Sequence, residues 1–181
     1  MKGFLVMVFI AALTVMLFAG GCGTNTPDNN IVDGGNEMIE RKEIRSFYYS
    51  HRGSSSYDCY DYTFYQDENG VHLTAELNCG WEKLEVDLDA EIMKQLEDIV
   101  YEHQMYQWDG FAGSNNMVMD GEGFSLDIDF MDGTKVSAHG NNAFPGGHGS
   151  AESEFNKIFW DLTELHADKI TENDPYDYSD D

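Results

Sequence analysis

Apolar and polar positions alternate most regularly between Gly123 and Gly140. Phe124, Leu126, Ile128 and Phe130 alternate with Ser125, Asp127 and Asp129, the period of two that gives a strand one buried face and one wet face. Met131-Asp132-Gly133-Thr134 predicts a hairpin turn, because Asp-Gly readily takes the positive φ angles of a tight reversal. Lys135 to His139 returns as the partner strand, with Val136 and Ala138 on the apolar face. Upstream, Ile44 to Arg52 predicts a first strand and Tyr57 to Gln66 a second, joined by Gly53-Ser54-Ser55-Ser56. Asp67-Glu68-Asn69-Gly70 turns the chain into a third strand, in which Val71, Leu73, Ala75 and Leu77 alternate with His72, Thr74 and Glu76.

Two segments carry helical spacing instead. Asp87 or Asp89 is a candidate cap for a helix over Ala90 to Tyr101, with Ile92, Leu96, Ile99, Val100 and His103 on one stripe. Ser150 or Ser153 is the candidate cap of a second, with Phe155, Ile158, Phe159, Leu162 and Leu165 on its stripe. A lone hairpin is marginal in water, so this second stripe is the expected cover for the hairpin. The elements predict an α+β fold: a single domain over 44–169, with an antiparallel sheet of about five strands packed against two helices, in the order β-β-β-α-β-β-α.

The segments outside that domain change the picture. Lys2 precedes an apolar run from Phe4 to Phe18, then Ala19-Gly20-Gly21 and Cys22. A positive start, an apolar run and a small-residue ending make an export signal. The last four residues resemble a bacterial lipobox, with Ala19 where Leu is usual, and imply acylation of Cys22. Residues 1–21 are then a lipoprotein signal peptide. The alternative is an uncleaved anchor, since the run of about 20 residues is just long enough to span a bilayer. Residues 22–43 open on a Gly/Asn-rich polar segment and read as a flexible tether, and 170–181 as an acidic disordered tail. The net charge of −24, from 34 acidic and 10 basic residues, repels phosphate backbones, so no nucleic-acid partner is expected. The same charge opposes adsorption to anionic lipid, so membrane contact must come from the lipid anchor at Cys22.

Three cysteines are present. With Cys22 acylated, Cys59 and Cys79 remain. A three-residue Glu68-Asn69-Gly70 loop would pair Asp67 with Val71 and place Cys59 opposite Cys79, within reach of a disulfide that an oxidising compartment permits. An extra bulge residue would instead leave two free thiols.

Catalytic motifs are sparse. The chain contains no His-Glu-x-x-His, no Cys-x-x-Cys, no phosphate-cradling glycine motif and no Gly-x-Ser-x-Gly, so no cofactor is expected. Asp127, Asp129 and Asp132 lack the spacing of a helix–loop–helix calcium loop, and no metal site is expected of them or of His139 and His148. Trp108-Asp109-Gly110-Phe111 and the Asn141 to Gly149 loop supply the candidate ligand cleft: Trp108, Asp109, Phe111, His139, Phe144 and His148.

Trp108-Asp109-Gly110-Phe111, Asp120-Gly121-Glu122-Gly123-Phe124-Ser125-Leu126, Asp132-Gly133, Ser137-Ala138 and Gly140-Asn141-Asn142-Ala143-Phe144-Pro145 together resemble an uncharacterised family of lipoproteins from Gram-positive anaerobic bacteria. The resemblance spans Phe47 to Leu165 and implies location and ancestry, not chemistry. Gly146-Gly147-His148-Gly149 departs from that pattern, so any role of His148 is particular to this chain. The expectation is a lipoprotein on the extracytoplasmic face of the cell membrane that acts as a binding module for a cell-envelope protein or glycan. The alternatives are an extracytoplasmic hydrolase using a carboxylate or His, and a cation-binding protein.

Overall fold

The computed structural model describes residues 40–55, 58–118 and 121–173. The expected signal peptide, Cys22, the tether as far as residue 39 and the tail from residue 174 lie outside the described residues. Among those described, no helix is long and apolar enough to cross a membrane.

The chain forms an α+β fold with two helices and an eight-stranded sheet. In order come β1 (Ile44–Arg52), β2 (Cys59–Asp67), β3 (Gly70–Leu77), β4 (Glu82–Leu88), α1 (Glu91–Glu102), β5 (Ala112–Ser114), β6 (Gly123–Phe130), β7 (Lys135–Asn141), α2 (His148–Leu165) and β8 (Thr171–Glu172). The sheet order is β5-β7-β6-β1-β2-β3-β4-β8. Every neighbouring pair is antiparallel except β5–β7, which is parallel. The five-strand antiparallel expectation is thus corrected to eight strands in a mixed sheet. In β4, Leu84 and Val86 are buried between charged neighbours, an alternation hidden in a segment rich in acids. The short β5 and β8 carry no side-chain pattern, because backbone pairing alone defines them.

One face of the sheet is apolar. Phe47, Tyr49, Tyr62, Phe64, Leu126 and Ile128 are fully buried on it. The alternate positions, such as Tyr48, Thr63, Thr74 and Asp127, are half-buried or exposed on the other face. α2 lays Phe155 and Phe159 on the apolar face: Tyr62 stacks on Phe159 at 4.1 Å and Tyr49 meets Phe155 at 4.5 Å. Burying each large side chain stabilises the fold by roughly 1.5–3 kcal/mol. The stripe expected to cover the β6–β7 hairpin thus packs on β1 and β2, and α2 meets β6 through His148 against Phe124. Its last member, Leu165, is 71% exposed, because the helix ends there and the chain turns away.

The helix starts differ from expectation. α1 follows Ala90 with no side-chain cap, and the expected cap residue Asp87 instead receives a hydrogen bond from His72 Nδ1 at 2.7 Å. α2 begins at His148, so Ser150 and Ser153 lie inside it rather than capping it. In the β6–β7 turn only Gly133, not Asp132, has a positive φ. Residues at the end of the expected tether are tied down: Arg41 pairs with Asp98, and Lys42 with Asp132 at 2.9 Å.

The β2–β3 turn has two loop residues, not three. Asp67 pairs with Gly70 and Tyr60 with Leu77, so strict register would set Asn78 opposite Cys59. Asn78 and Cys79 instead take left-handed conformations, with φ of 50° and 60°. This kink carries Cys79 back to Cys59, with Cα atoms 4.9 Å apart. The pair is at disulfide distance for a reason other than the expected register. Closing a loop of this length should add about 3 kcal/mol of stability. A fully oxidised chain should lose that amount on Cys59→Ser/Cys79→Ser replacement, measured by urea unfolding; an unchanged midpoint, or two free thiols in the native protein, would count against the bond.

Candidate functional site

The polar chemistry gathers where the end of β1 meets the start of α2. The chain leaving β7 folds back sharply: a Cβ at Gly140 would lie 2.0 Å from the Ala143 carbonyl oxygen, so only glycine permits the approach. Phe144 is thereby set on Phe124, ring centroids 5.6 Å apart. Gly147 then takes φ +81°, a left-handed turn that starts α2 with His148. Far from lying on an exposed loop, the His148 ring is 5% exposed. It packs 4.4 Å from Phe124, 4.7 Å from Phe144 and 5.7 Å from Trp108.

Glu152 lies one helical turn after His148. Tyr49 Oη donates to Glu152 Oε1 at 2.6 Å, and His51 Nδ1 reaches the same oxygen at 3.2 Å. His148 Nε2 is 3.3 Å from Tyr49 Oη. The tyrosine has one proton and directs it to the carboxylate, so His148 must be the Nε2–H tautomer donating to the phenol oxygen. Its Nδ1 then faces Glu152 Oε2 at 3.7 Å, outside hydrogen-bond range.

The titrating groups are pushed apart. The hydrogen bond to Glu152 raises His51 above the ordinary imidazole value, against the opposing effect of burial. Burial lowers His148, although the Glu152 charge opposes it. Burial would raise Glu152, but the hydrogen bonds from His51 and Tyr49 outweigh it and hold the carboxyl low. Burial and then the bond to Glu152 push the Tyr49 phenol far up. At neutral pH the cluster holds an ionised Glu152, a neutral Tyr49, a neutral His148 and a His51 biased toward the imidazolium. His51 also stacks on Tyr60 at 5.0 Å.

Three cavities lie nearby. One, of about 540 Å³, includes Glu122, Phe144, Pro145, His148, Ser150 and Glu152 in its wall. A second, of about 510 Å³, shares Phe144 and Pro145 and adds Gln104, Gln107, Trp108 and Phe111. The largest, about 610 Å³, is lined by Ser50, Ser125 and His139 among others, which sit on the polar side of the sheet. Its one arginine, Arg52, is engaged by Asp61 at 2.8 Å. We place the candidate site at the first two, where the buried titrating groups are.

Of the expected cleft residues, Trp108, Phe111, Phe144 and His148 come together around these two cavities. His139 does not, because its strand parity sends it to the opposite face. Asp109 accepts the Ser137 backbone N–H at 3.0 Å and so fastens the Trp108 turn to β7. Tyr49, His51 and Glu152 escaped the sequence reading. The available signals were the shared parity of Tyr49 and His51 and the four-residue spacing of His148 and Glu152.

Asp129 pairs with Lys135 at 2.8 Å. Hydrogen bonds from Thr134 and Lys42 hold Asp132 down to about 2. Among the described residues, no three His, Cys, Asp or Glu side chains converge as metal ligands. No protein-family model and no curated protein matches the chain.

Glu152→Gln should cost about 2 kcal/mol of stability at neutral pH, the range for hydrogen bonds to a charged group. His51 has a raised folded-state pKa, so its contribution is fully present below about pH 6.5 and is lost as pH rises through the folded value. Glu152 has a lowered one, so its contribution is present above about pH 4.3 and is lost as pH falls through the folded value. The gap in urea midpoint between wild type and His51→Gln should therefore narrow from about pH 6 to about pH 9. A gap constant over that range would show that the His51–Glu152 contact does not set His51 titration.

Proposed function

We propose that the chain is a lipoprotein of the family it resembles, anchored through acylated Cys22 on the extracytoplasmic face of the cell membrane, and that it acts as a binding module for a cell-envelope ligand. The observation that carries this reading is the exposed Phe144 ring, 39% open to solvent. It stands over a cleft whose wall includes Glu152, and Glu152 is already hydrogen-bonded to the buried Tyr49 and to His51. A wall residue held in this way is rigid, which is what a preorganised binding site requires. Among the described residues, neither cleft wall offers a Ser or Cys hydrogen-bonded to a base, the arrangement of an activated nucleophile. The tether and the net charge of −24 suit a domain held in solvent above a surface.

A second reading, an extracytoplasmic hydrolase, is favoured by one observation. His148 is kept neutral by burial and lines the cleft beside Glu152, a suitable state for a general base. Turnover of an envelope substrate that His148→Gln abolishes, with folding intact, would promote it.

The binding reading has two expected outcomes. Cells grown on an alkyne palmitate analogue should label the wild-type chain and not Cys22→Ala. Full chain in detergent should sediment with isolated cell-wall material, with retention reduced at least about tenfold by Phe144→Ala. An unlabelled chain would remove the anchor, and equal retention of the variant would remove the cleft.

A further inference from the structure

The first two clefts meet along Phe144 and Pro145, which belong to the walls of both. A ridge between two open hollows suits a chain molecule that crosses it more than a compact ligand enclosed on one side. Phe144 is fixed by stacking on Phe124 and by a tilted contact with His148, so its exposed face is a rigid apolar platform. Pro145 beside it is equally stiff.

The polar groups on either side say what kind of chain. Glu122 and Ser150 flank one side, Gln104 and Gln107 the other. The Gln107 amide donates to Gln104 at 2.8 Å, which orients both side chains. Gln104 itself holds a left-handed backbone, φ 53°, a costly conformation for a residue with a side chain. The groove thus mixes hydroxyl, amide and carboxylate groups, as an array of hydroxyls needs, since each hydroxyl both donates and accepts.

Charge argues against the two charged alternatives. Glu152 Oε1 already accepts hydrogen bonds from Tyr49 and His51, His51 beside it is biased toward the imidazolium, and the N-terminus of α2 adds partial positive charge there, so the negative charge on that side is largely offset. Glu122 and the overall −24 oppose a polyanion.

We propose that these two clefts form one groove for a linear neutral glycan, whose sugar rings stack on Phe144 and hydrogen-bond to Glu122 and Ser150 on one side of it and to Gln104 and Gln107 on the other. This rests on the binding reading above and adds the ligand class and the two subsites.

The test is calorimetric titration of the full acylated chain in detergent with neutral β-1,4-linked glucose and N-acetylglucosamine oligomers, from di- to hexasaccharide, and with penta-lysine. Affinity should rise about tenfold or more with length and then level off, as two linked subsites require. Glu122→Gln and Gln107→Ala should each bring the hexasaccharide back to the disaccharide level, with circular dichroism confirming that both variants fold. Affinity independent of length, or Gln107→Ala without effect on the longest sugar, would overturn the two-subsite groove. Penta-lysine binding more tightly than every sugar would overturn the glycan in favour of a basic peptide. If no sugar binds while cell-wall material is still retained through Phe144, the glycan inference fails and the binding reading stands. If neither binds, both fail.

Discussion

Aromatic packing between β1 and α2 is the contact on which the rest of the structure depends. β1 hydrogen-bonds to β2 on one side and to β6 on the other, so it joins the β1–β4 meander to the β6–β7 hairpin. Its core-facing side chains meet α2 directly: Phe47 lies 5.7 Å from Phe155, and Tyr49 4.5 Å. Those side chains also change character along the strand, from Ile44 through Phe47 and Tyr49 to His51. The core therefore grades into a polar cluster without a break. The Tyr49 ring is a packing element and its hydroxyl is a ligand for Glu152, so one residue ties the interior to the cleft.

The parts of this fold that were legible in the sequence are those in which side chains carry the signal. Phe124 to Phe130 and Ile44 to Arg52 read as strands because one face of each is buried and the other is not. Phe155, Phe159 and Leu162 read as a helix for the same reason at a different period. What stayed hidden has a different physical origin. β5 and β8 exist through backbone pairing, which leaves no mark on residue type. The start of α2 is set by the conformation of Gly147, while the serines suggested a later one. The approach of Cys59 to Cys79 depends on a kink at Asn78, which no alternation records.

The candidate site was partly legible, and the division follows sequence distance. Trp108, Phe111, Phe144 and His148 drew notice as aromatics and histidine in loops. Tyr49 and Glu152 did not, because they are about a hundred positions apart and each has an ordinary place in its own element. Only the folded chain brings them to 2.6 Å. His139 shows the reverse case. It is near His148 in sequence, yet strand parity puts the sheet between them.

Both outer strands of the sheet are stubs, three residues at β5 and two at β8. The long strands β7 and β4, which would otherwise present rows of free amide and carbonyl groups, are each partly capped by one of them. Exposed strand borders are templates on which a second copy can add. On a crowded surface such growth would have to begin on the uncovered lengths of β4 and β7, because these two short caps already occupy Glu82 and Lys83 on one border and His139, Gly140 and Asn141 on the other.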